Sequence, residues 1–224
     1  MTMEQISVNR STTKFGLYEP ALQGLDRPVK RVFDLGASSL LLLLLSPLMI
    51  GIALLIKLDS PGPILFRQRR LGEGGRLFWM LKFRSMIDGA EEQEFELLRT
   101  DDGALFFAKT PQDQRVTRLG RLLRRTSLDE LPQLFNVLKG EMSLVGPRPE
   151  LPQLLEQYEP WQRRRFTVPQ GMTGWWQVNG RMQRATLRQR VADDLYYISH
   201  YSLWLDLWIL WKTIKAVIRG EGAY

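Results

Sequence analysis

Leu35-Gly-Ala-Ser-Ser-Leu-Leu-Leu-Leu-Leu-Leu-Ser-Pro-Leu-Met-Ile-Gly-Ile-Ala-Leu-Leu-Ile56 carries no charged side chain. About 20 such residues suffice to span a bilayer. Pro47, directly after Ser46, sits near the centre of the run. Proline has no N–H to offer the carbonyl of Leu43, and inside a helix it introduces a kink at a cost of roughly 3 kcal/mol. The two arms, 35–46 and 47–56, each measure about 15–18 Å at about 1.5 Å per residue. That is half of a ~30 Å hydrocarbon core. The reading is a re-entrant membrane helix bent at Ser46-Pro47, which enters one leaflet and returns.

The flanks support it. Arg27, Lys30 and Arg31 precede the run, and Lys57, Arg67, Arg69 and Arg70 follow it. Positive charge on both sides favours keeping both ends in the cytoplasm. A kinked spanning helix is the alternative; a buried helix of a soluble core fits the uninterrupted leucines less well. The run starts too far from Met1 for a cleavable signal peptide, and no Ala-x-Ala site follows it. Three regions result: a polar N-terminal tail over 1–26, the membrane helix over 27–59, and a membrane-associated catalytic domain over 60–224 that forms one functional unit with the helix.

The 224 residues suit one domain with a real core. The chain has no Cys and a single His, His200. Thiolate nucleophiles, disulfides and Cys- or His-pair metal sites are therefore excluded. Chemistry falls to carboxylates, hydroxyls, Lys or Arg. The net charge of +7, from 31 Lys and Arg against 24 Asp and Glu, implies a polyanionic partner: nucleic acid, lipid headgroups or a phosphorylated substrate.

Beyond the apolar run, Ser60-Pro-Gly-Pro63 is a hard stop. Residues 64–71 and 76–83 read as a β-hairpin around Gly72-Glu-Gly-Gly75. Residues 88–99 read as an acidic helix, and 150–166 as another. Arg118, Arg121 and Arg125 share one helical face, which is either solvated or laid on anionic headgroups. Pro169 to Arg181 reads as a Gly-rich loop with adjacent tryptophans. The stretch from Ser202 to Ile218 is a helix with Trp204, Trp208 and Trp211 at helical spacing; it fits a core position or an interfacial one. The fold class is α+β, mostly helical, with a small hairpin and interfacial amphipathic helices.

Candidate chemistry lies in Thr126-Ser-Leu-Asp-Glu-Leu-Pro-Gln133 and in Gly146-Pro-Arg-Pro149. Ser127 and Glu130 have the spacing of a helix capping box, although Pro132 conflicts with a helix that starts at Ser127. In either case Asp129 and Glu130 stand at a helix N-terminus, where anions are favoured. A carboxylate attacking a phosphate about 4 Å away meets about 4 kcal/mol of repulsion at an effective dielectric of 20. That is roughly three powers of ten in rate. Asp129 as nucleophile therefore needs cations: Mg²⁺ held by Glu130, and Arg148 on its rigid turn.

These motifs resemble the bacterial sugar transferases, the monotopic phosphoglycosyl transferases that act on polyprenyl phosphate. The likeness runs from about residue 27 to the C-terminus. It rests on Lys30-Arg-Val-Phe-Asp34, Ser46-Pro47, Ser60-Pro-Gly-Pro63, Phe66-Arg-Gln-Arg69, Lys82-Phe-Arg-Ser-Met86, Arg115-Val-Thr-Arg-Leu-Gly120, the Asp129-Glu130 and Gly146-Pro-Arg-Pro149 stretches, and Thr173-Gly174 with Gln177-Val-Asn-Gly-Arg181. Two departures are visible: Gln114 replaces a frequent proline, and Trp175-Trp176 is bulky, with sugar or lipid preference as the property it would affect.

The resemblance implies a two-step transfer. Asp129 takes the sugar-1-phosphate from a UDP-sugar and expels UMP; undecaprenyl phosphate then collects it, starting polysaccharide or glycoconjugate assembly. It implies Glu130 as the Mg²⁺ ligand, Arg148 on phosphate, and Lys82 and Arg84 as further anion contacts. Partners would be the UDP-sugar, undecaprenyl phosphate and membrane lipids, with no nucleic acid and with a homodimer left open. The implied location is the cytoplasmic face of a bacterial inner membrane. Two rival readings are a non-catalytic basic membrane anchor, and a direct glycosyl transferase that would release UDP instead of UMP.

Overall fold

A computed structural model of the chain describes residues 26–90, 97–99, 105–107, 113–179 and 187–219. The expected tail over 1–26 lies outside these residues but for Asp26. Helix α1 is a single element, Asp26–Asp59, with Pro47 inside it. The carbonyl that Pro47 leaves without an N–H partner finds another donor: Ser46 Oγ donates to Leu43 O at 2.9 Å. The Ser-Pro pair thus repairs locally the hydrogen bond it breaks.

At about 1.5 Å per residue, 34 residues of straight helix measure about 51 Å. Yet residues near both ends of α1 pack on one body. Near its start, Arg31 donates to the carbonyls of Val137 and Leu138 at 2.6 and 2.7 Å, and Phe33, Ala37 and Leu42 join the main core. Near its end, Ile52 and Ile56 are buried against Phe83 and Leu123, beside Leu128 and Leu131. Only 11% of the most apolar window is buried, and the helix is long and apolar enough to cross a membrane. Leu43, Leu44, Ile50 and Leu54 are each more than half exposed. A soluble core helix would bury them.

The expected hairpin is present. Strands β1 (Leu65–Leu71) and β2 (Leu77–Phe83) pair antiparallel, Leu65 opposite Phe83 and Leu71 opposite Leu77. Gly74 and Gly75, with φ of 65° and 74°, make the turn. The segment read as an acidic helix differs: Leu97–Arg99 is strand β3, paired antiparallel with β4, Leu105–Phe107. Residues 91–96 lie outside the described residues.

Helix α2 (Arg118–Arg125) is capped by Thr117 Oγ1, which accepts from Gly120 N at 2.9 Å. Arg118, Arg121 and Arg125 are exposed while Gly120 and Leu123 are buried. Gly120 is obligatory: a Cβ there would lie 1.9 Å from the carbonyl oxygen of Ser85. Helix α3 (Gln133–Lys139) follows Pro132 and ends at Gly140 in the left-handed region. Strands β5 (Ser143–Val145) and β6 (Gly171–Thr173) are parallel.

The helix expected over 150–166 is instead two short 3-10 stretches, Pro152–Gln157 and Gln162–Thr167. The first begins directly on Pro152, and Pro160 lies between the two, so no continuous α-helix forms. The loop expected from Pro169 contains β6 and helix α4, Trp175–Asn179. Helices α5 (Leu187–Ser199) and α6 (Leu203–Arg219) close the domain. Trp204, Leu207, Trp211, Ile214 and Ile218 stand exposed along α6, while Ile209 and Asp206 are buried.

Candidate active site

The stretch between α2 and α3 positions the two adjacent carboxylates. Ser127 adopts φ 56°, the left-handed region that a non-glycine residue enters at a cost. A single 3-10 turn, Leu128–Glu130, follows, and then Pro132 starts α3. The capping-box reading of Ser127 and Glu130 is corrected here. Ser127 makes no side-chain cap bond: its backbone is left-handed where an N-cap is extended, Glu130 N donates to its carbonyl instead, and the Glu130 side chain turns to two cations. Lys82 Nζ, near the end of β2, and Arg148 Nη2 both reach Glu130 Oε1 at 2.8 Å.

Burial alone would raise the Glu130 pKa, but Arg148 and Lys82 outweigh it and hold the carboxyl well below the usual range. Asp129 goes the other way. It is 8% exposed, and burial raises its pKa against the pull of Lys82, with Glu130 adding to the rise and Arg124 and Arg148 opposing it. Two neighbouring carboxylates thus have opposite characters: one is a fixed anion clamped by cations, the other is desolvated with a raised pKa.

Arg148 owes its place to close packing of glycines. Gly146 N donates to Thr173 O at 2.9 Å, and Gly171 N donates to Pro147 O at 2.8 Å. A Cβ on Gly171 would fall 2.1 Å from Gly146 N. Only bare backbones bring β5, β6 and the Gly-Pro-Arg-Pro turn this near.

Arg84, expected to contact an anion, is placed elsewhere. Its buried guanidinium donates to the carbonyls of Ser60 at 2.6 Å, Pro61, and Ile56 at 3.4 Å. It clamps the chain leaving α1 instead of facing the carboxylates. The turn there needs Gly62, whose φ is 118° and whose Cβ would overlap the Arg84 head. Ser46 and Pro47 lie in the exposed half of α1, apart from the carboxylates.

Several residues were missed as supports. Asn136 is fully buried. It accepts from Leu81 N at 3.0 Å and donates to Trp79 O at 2.8 Å, stitching α3 to β2. Arg124 approaches the pair from α2, its Nε on Ser85 Oγ at 2.9 Å. A buried asparagine or an arginine in a basic helix has no distinctive spacing, so no signal in the sequence marks them.

Among the described residues no group of three or more His, Asp or Glu side chains comes together. A divalent ion here would have Asp129 and Glu130 at most. That fits Mg²⁺, which takes one or two carboxylates and completes its shell with phosphate oxygens and water.

A family model for bacterial sugar transferases matches residues 25–220. The chain belongs to the bacterial sugar transferase family.

This sugar transferase is 44% identical, over 87% of its length, to an Aeromonas hydrophila protein named UDP-N-acetylgalactosamine-undecaprenyl-phosphate N-acetylgalactosaminephosphotransferase. It is 48% identical, over 87%, to an undecaprenyl-phosphate glucose phosphotransferase of Komagataeibacter xylinus. It is 45% identical, over 88%, to an undecaprenyl-phosphate galactose phosphotransferase of Salmonella typhimurium. Those relatives are longer: the match covers 45%, 37% and 42% of them. In this family member the bulky Trp175 is absorbed by packing, its ring 4.7 Å from Tyr196 and 5.3 Å from Trp208. Arg190 lies over the Trp176 ring at 5.6 Å.

Proposed function

We propose that this chain transfers a sugar-1-phosphate from a UDP-sugar to undecaprenyl phosphate, initiating polysaccharide or glycoconjugate assembly. One observation carries the reading: a desolvated Asp129 beside a Glu130 that two cations, Lys82 and Arg148, already clamp at 2.8 Å. The names of the relatives supply the substrate classes. A carboxylate oxygen of Asp129 attacks the β-phosphorus of the UDP-sugar. A phosphorus–oxygen bond forms to Asp129 while the bond to the bridging oxygen breaks, and UMP leaves with the electron pair. A phosphate oxygen of undecaprenyl phosphate then attacks the same phosphorus and releases Asp129 as a carboxylate. No proton is required in either displacement.

Lys82 and Arg148 offset the repulsion between the nucleophile and the phosphate oxygens, an effect worth several kcal/mol in a water-poor site. Glu130 would hold Mg²⁺ together with diphosphate oxygens, and the bound ion would supply further neutralisation there. Arg84 serves this site only indirectly, by fixing the chain that joins α1 to β1.

Purified protein in nanodiscs, given undecaprenyl phosphate, Mg²⁺ and a panel of UDP-sugars, is expected to release UMP from one donor and to stop when the metal is chelated. Release of UDP would establish direct glycosyl transfer instead. UMP that persists in chelator would remove the metal role from Glu130.

The same reading makes α1 a re-entrant helix on the cytoplasmic face of the inner membrane. Its support is the packing of both ends on one body, with the middle exposed and Pro47 inside the helix. The exposed apolar stripe on α6, bordered by Lys212 and Lys215 over Trp208 and Trp211 at 4.5 and 4.1 Å, suits a helix lying at headgroup depth. Reporters placed before Arg27 and after Arg219 are both expected on the cytoplasmic side. A reporter before Arg27 that reads periplasmic refutes the hairpin.

A further inference from the structure

Residues 147–150 are held through four successive carbonyls. Pro147 O accepts from Gly171 N at 2.8 Å. Arg148 O accepts from Arg165 Nη2 at 2.9 Å. Pro149 O accepts from Arg70 Nη1 at 3.3 Å. Glu150 O accepts from Leu71 N at 2.8 Å. Pro147 and Pro149 have no N–H, so this segment cannot be held from its donor side in a ladder. Its carbonyls do that work, and the one belonging to Arg148 itself is held by a side chain.

That side chain is buried on every side. The Arg165 guanidinium pairs with Asp194 Oδ2 at 2.9 Å and with Glu150 Oε2 at 3.2 Å, and the side chains of these three residues are 5%, 5% and 13% exposed. It also donates to the hydroxyl of Tyr158. Asp194 lies on α5 and Glu150 directly follows the turn. One planar fork therefore ties α5, the 162–167 stretch and the Gly-Pro-Arg-Pro turn together. Two carboxylates fix the fork, and the fork fixes the backbone under Arg148. A point-like ammonium could neutralise the carboxylates but could not reproduce the fork.

We propose that Arg165 is a positioning residue for transfer: it holds the root of Arg148 so that the Arg148 guanidinium stays at Glu130 and at the phosphate. The proposal rests on the reading of Arg148 as a phosphate contact. A displacement of about 1 Å at a group that orients a reacting centre can cost about 100-fold in rate, so a loss of that order is expected in kcat.

The test is a double-mutant cycle in nanodiscs, reading kcat and KM for UMP release together with thermal unfolding of each variant. Arg165→Lys keeps a cation between Asp194 and Glu150, so the protein is expected to fold. Its kcat should fall about 100-fold while KM for the donor moves less than about threefold. Made in an Arg148→Ala background, the same change should cost less than about threefold, because there is no longer a guanidinium to position. Equal losses with and without Arg148, or wild-type turnover in a folded Arg165→Lys, overturn the proposal. If Arg165→Lys does not fold, Asp194→Asn carries the same comparison: a kcat loss that disappears without Arg148 supports positioning, and an undiminished loss refutes it. Should Arg148→Ala itself retain wild-type kinetics, the phosphate role of Arg148 fails first, and the positioning role with it.

Discussion

Asp129→Asn is expected to lower UMP release by roughly 10³-fold or more, since the variant loses its nucleophile. The same substitution should leave the fold intact or firmer. Burial raises the folded-state pKa of Asp129 above its ordinary value. A group raised in this way contributes stability that is fully present below its unfolded pKa and is lost as pH rises through the folded pKa. At neutral pH the ionised carboxylate is therefore a net cost, which a neutral isostere removes. Thermal unfolding at pH 7 in chelator should give a midpoint equal to or above wild type. Turnover within a few-fold of wild type would eliminate Asp129 as nucleophile. Lost activity accompanied by a collapsed midpoint would mean the residue serves the fold.

Lys30→Met is expected to produce the largest stability loss. Lys30 Nζ meets Asp206 Oδ2 at 2.6 Å, with the two side chains only 4% and 0% exposed. Tyr197 Oη donates to the other oxygen of Asp206 at 2.8 Å, and Asp34 Oδ1 nearby on α1 accepts from Leu144 N at 3.1 Å. Removing one partner of a buried ion pair costs about 3–5 kcal/mol, because the other charge stays buried without compensation. For a domain of this size that corresponds to roughly 6–20 °C in the unfolding midpoint. Adding Asp206→Leu to Lys30→Met should recover much of the loss, since an apolar pair of similar volume is often neutral. A drop of less than about 1 kcal/mol in the single variant would mean that water reaches the pair and that α1 is held to α6 mainly by apolar packing.

The local features of this chain could be read directly. A charge-free run with Pro47 in it, a hairpin punctuated by glycines, and an aromatic helix are each specified by neighbours a few residues apart, and each stands where expected. The Asp129-Glu130 pair stood out as a candidate for a chemical reason: with no Cys and one His, few other groups could carry catalysis. Other features depend on residues far away in the chain. The Ser127-Glu130 spacing offered a capping partner three residues away, but the Glu130 side chain finds its partners 48 and 18 residues away. Arg84 was expected at the site because Lys82-Phe-Arg84 resembles the family motif, and its guanidinium holds carbonyls 23 to 28 residues earlier in the chain, at the end of α1.

The sequence by itself therefore determined that a long apolar helix with a proline inside it and an adjacent carboxylate pair belong to one chain, because periodicity, charge and missing N–H groups act over single turns. Only the tertiary structure decided which cations meet Glu130, that Arg84 faces the end of α1, and that Lys30 finds Asp206 across 176 residues. Those pairings are set by burial: once apolar packing closes the core, each charge left inside must take the nearest opposite charge or carbonyl, wherever in the chain it arose.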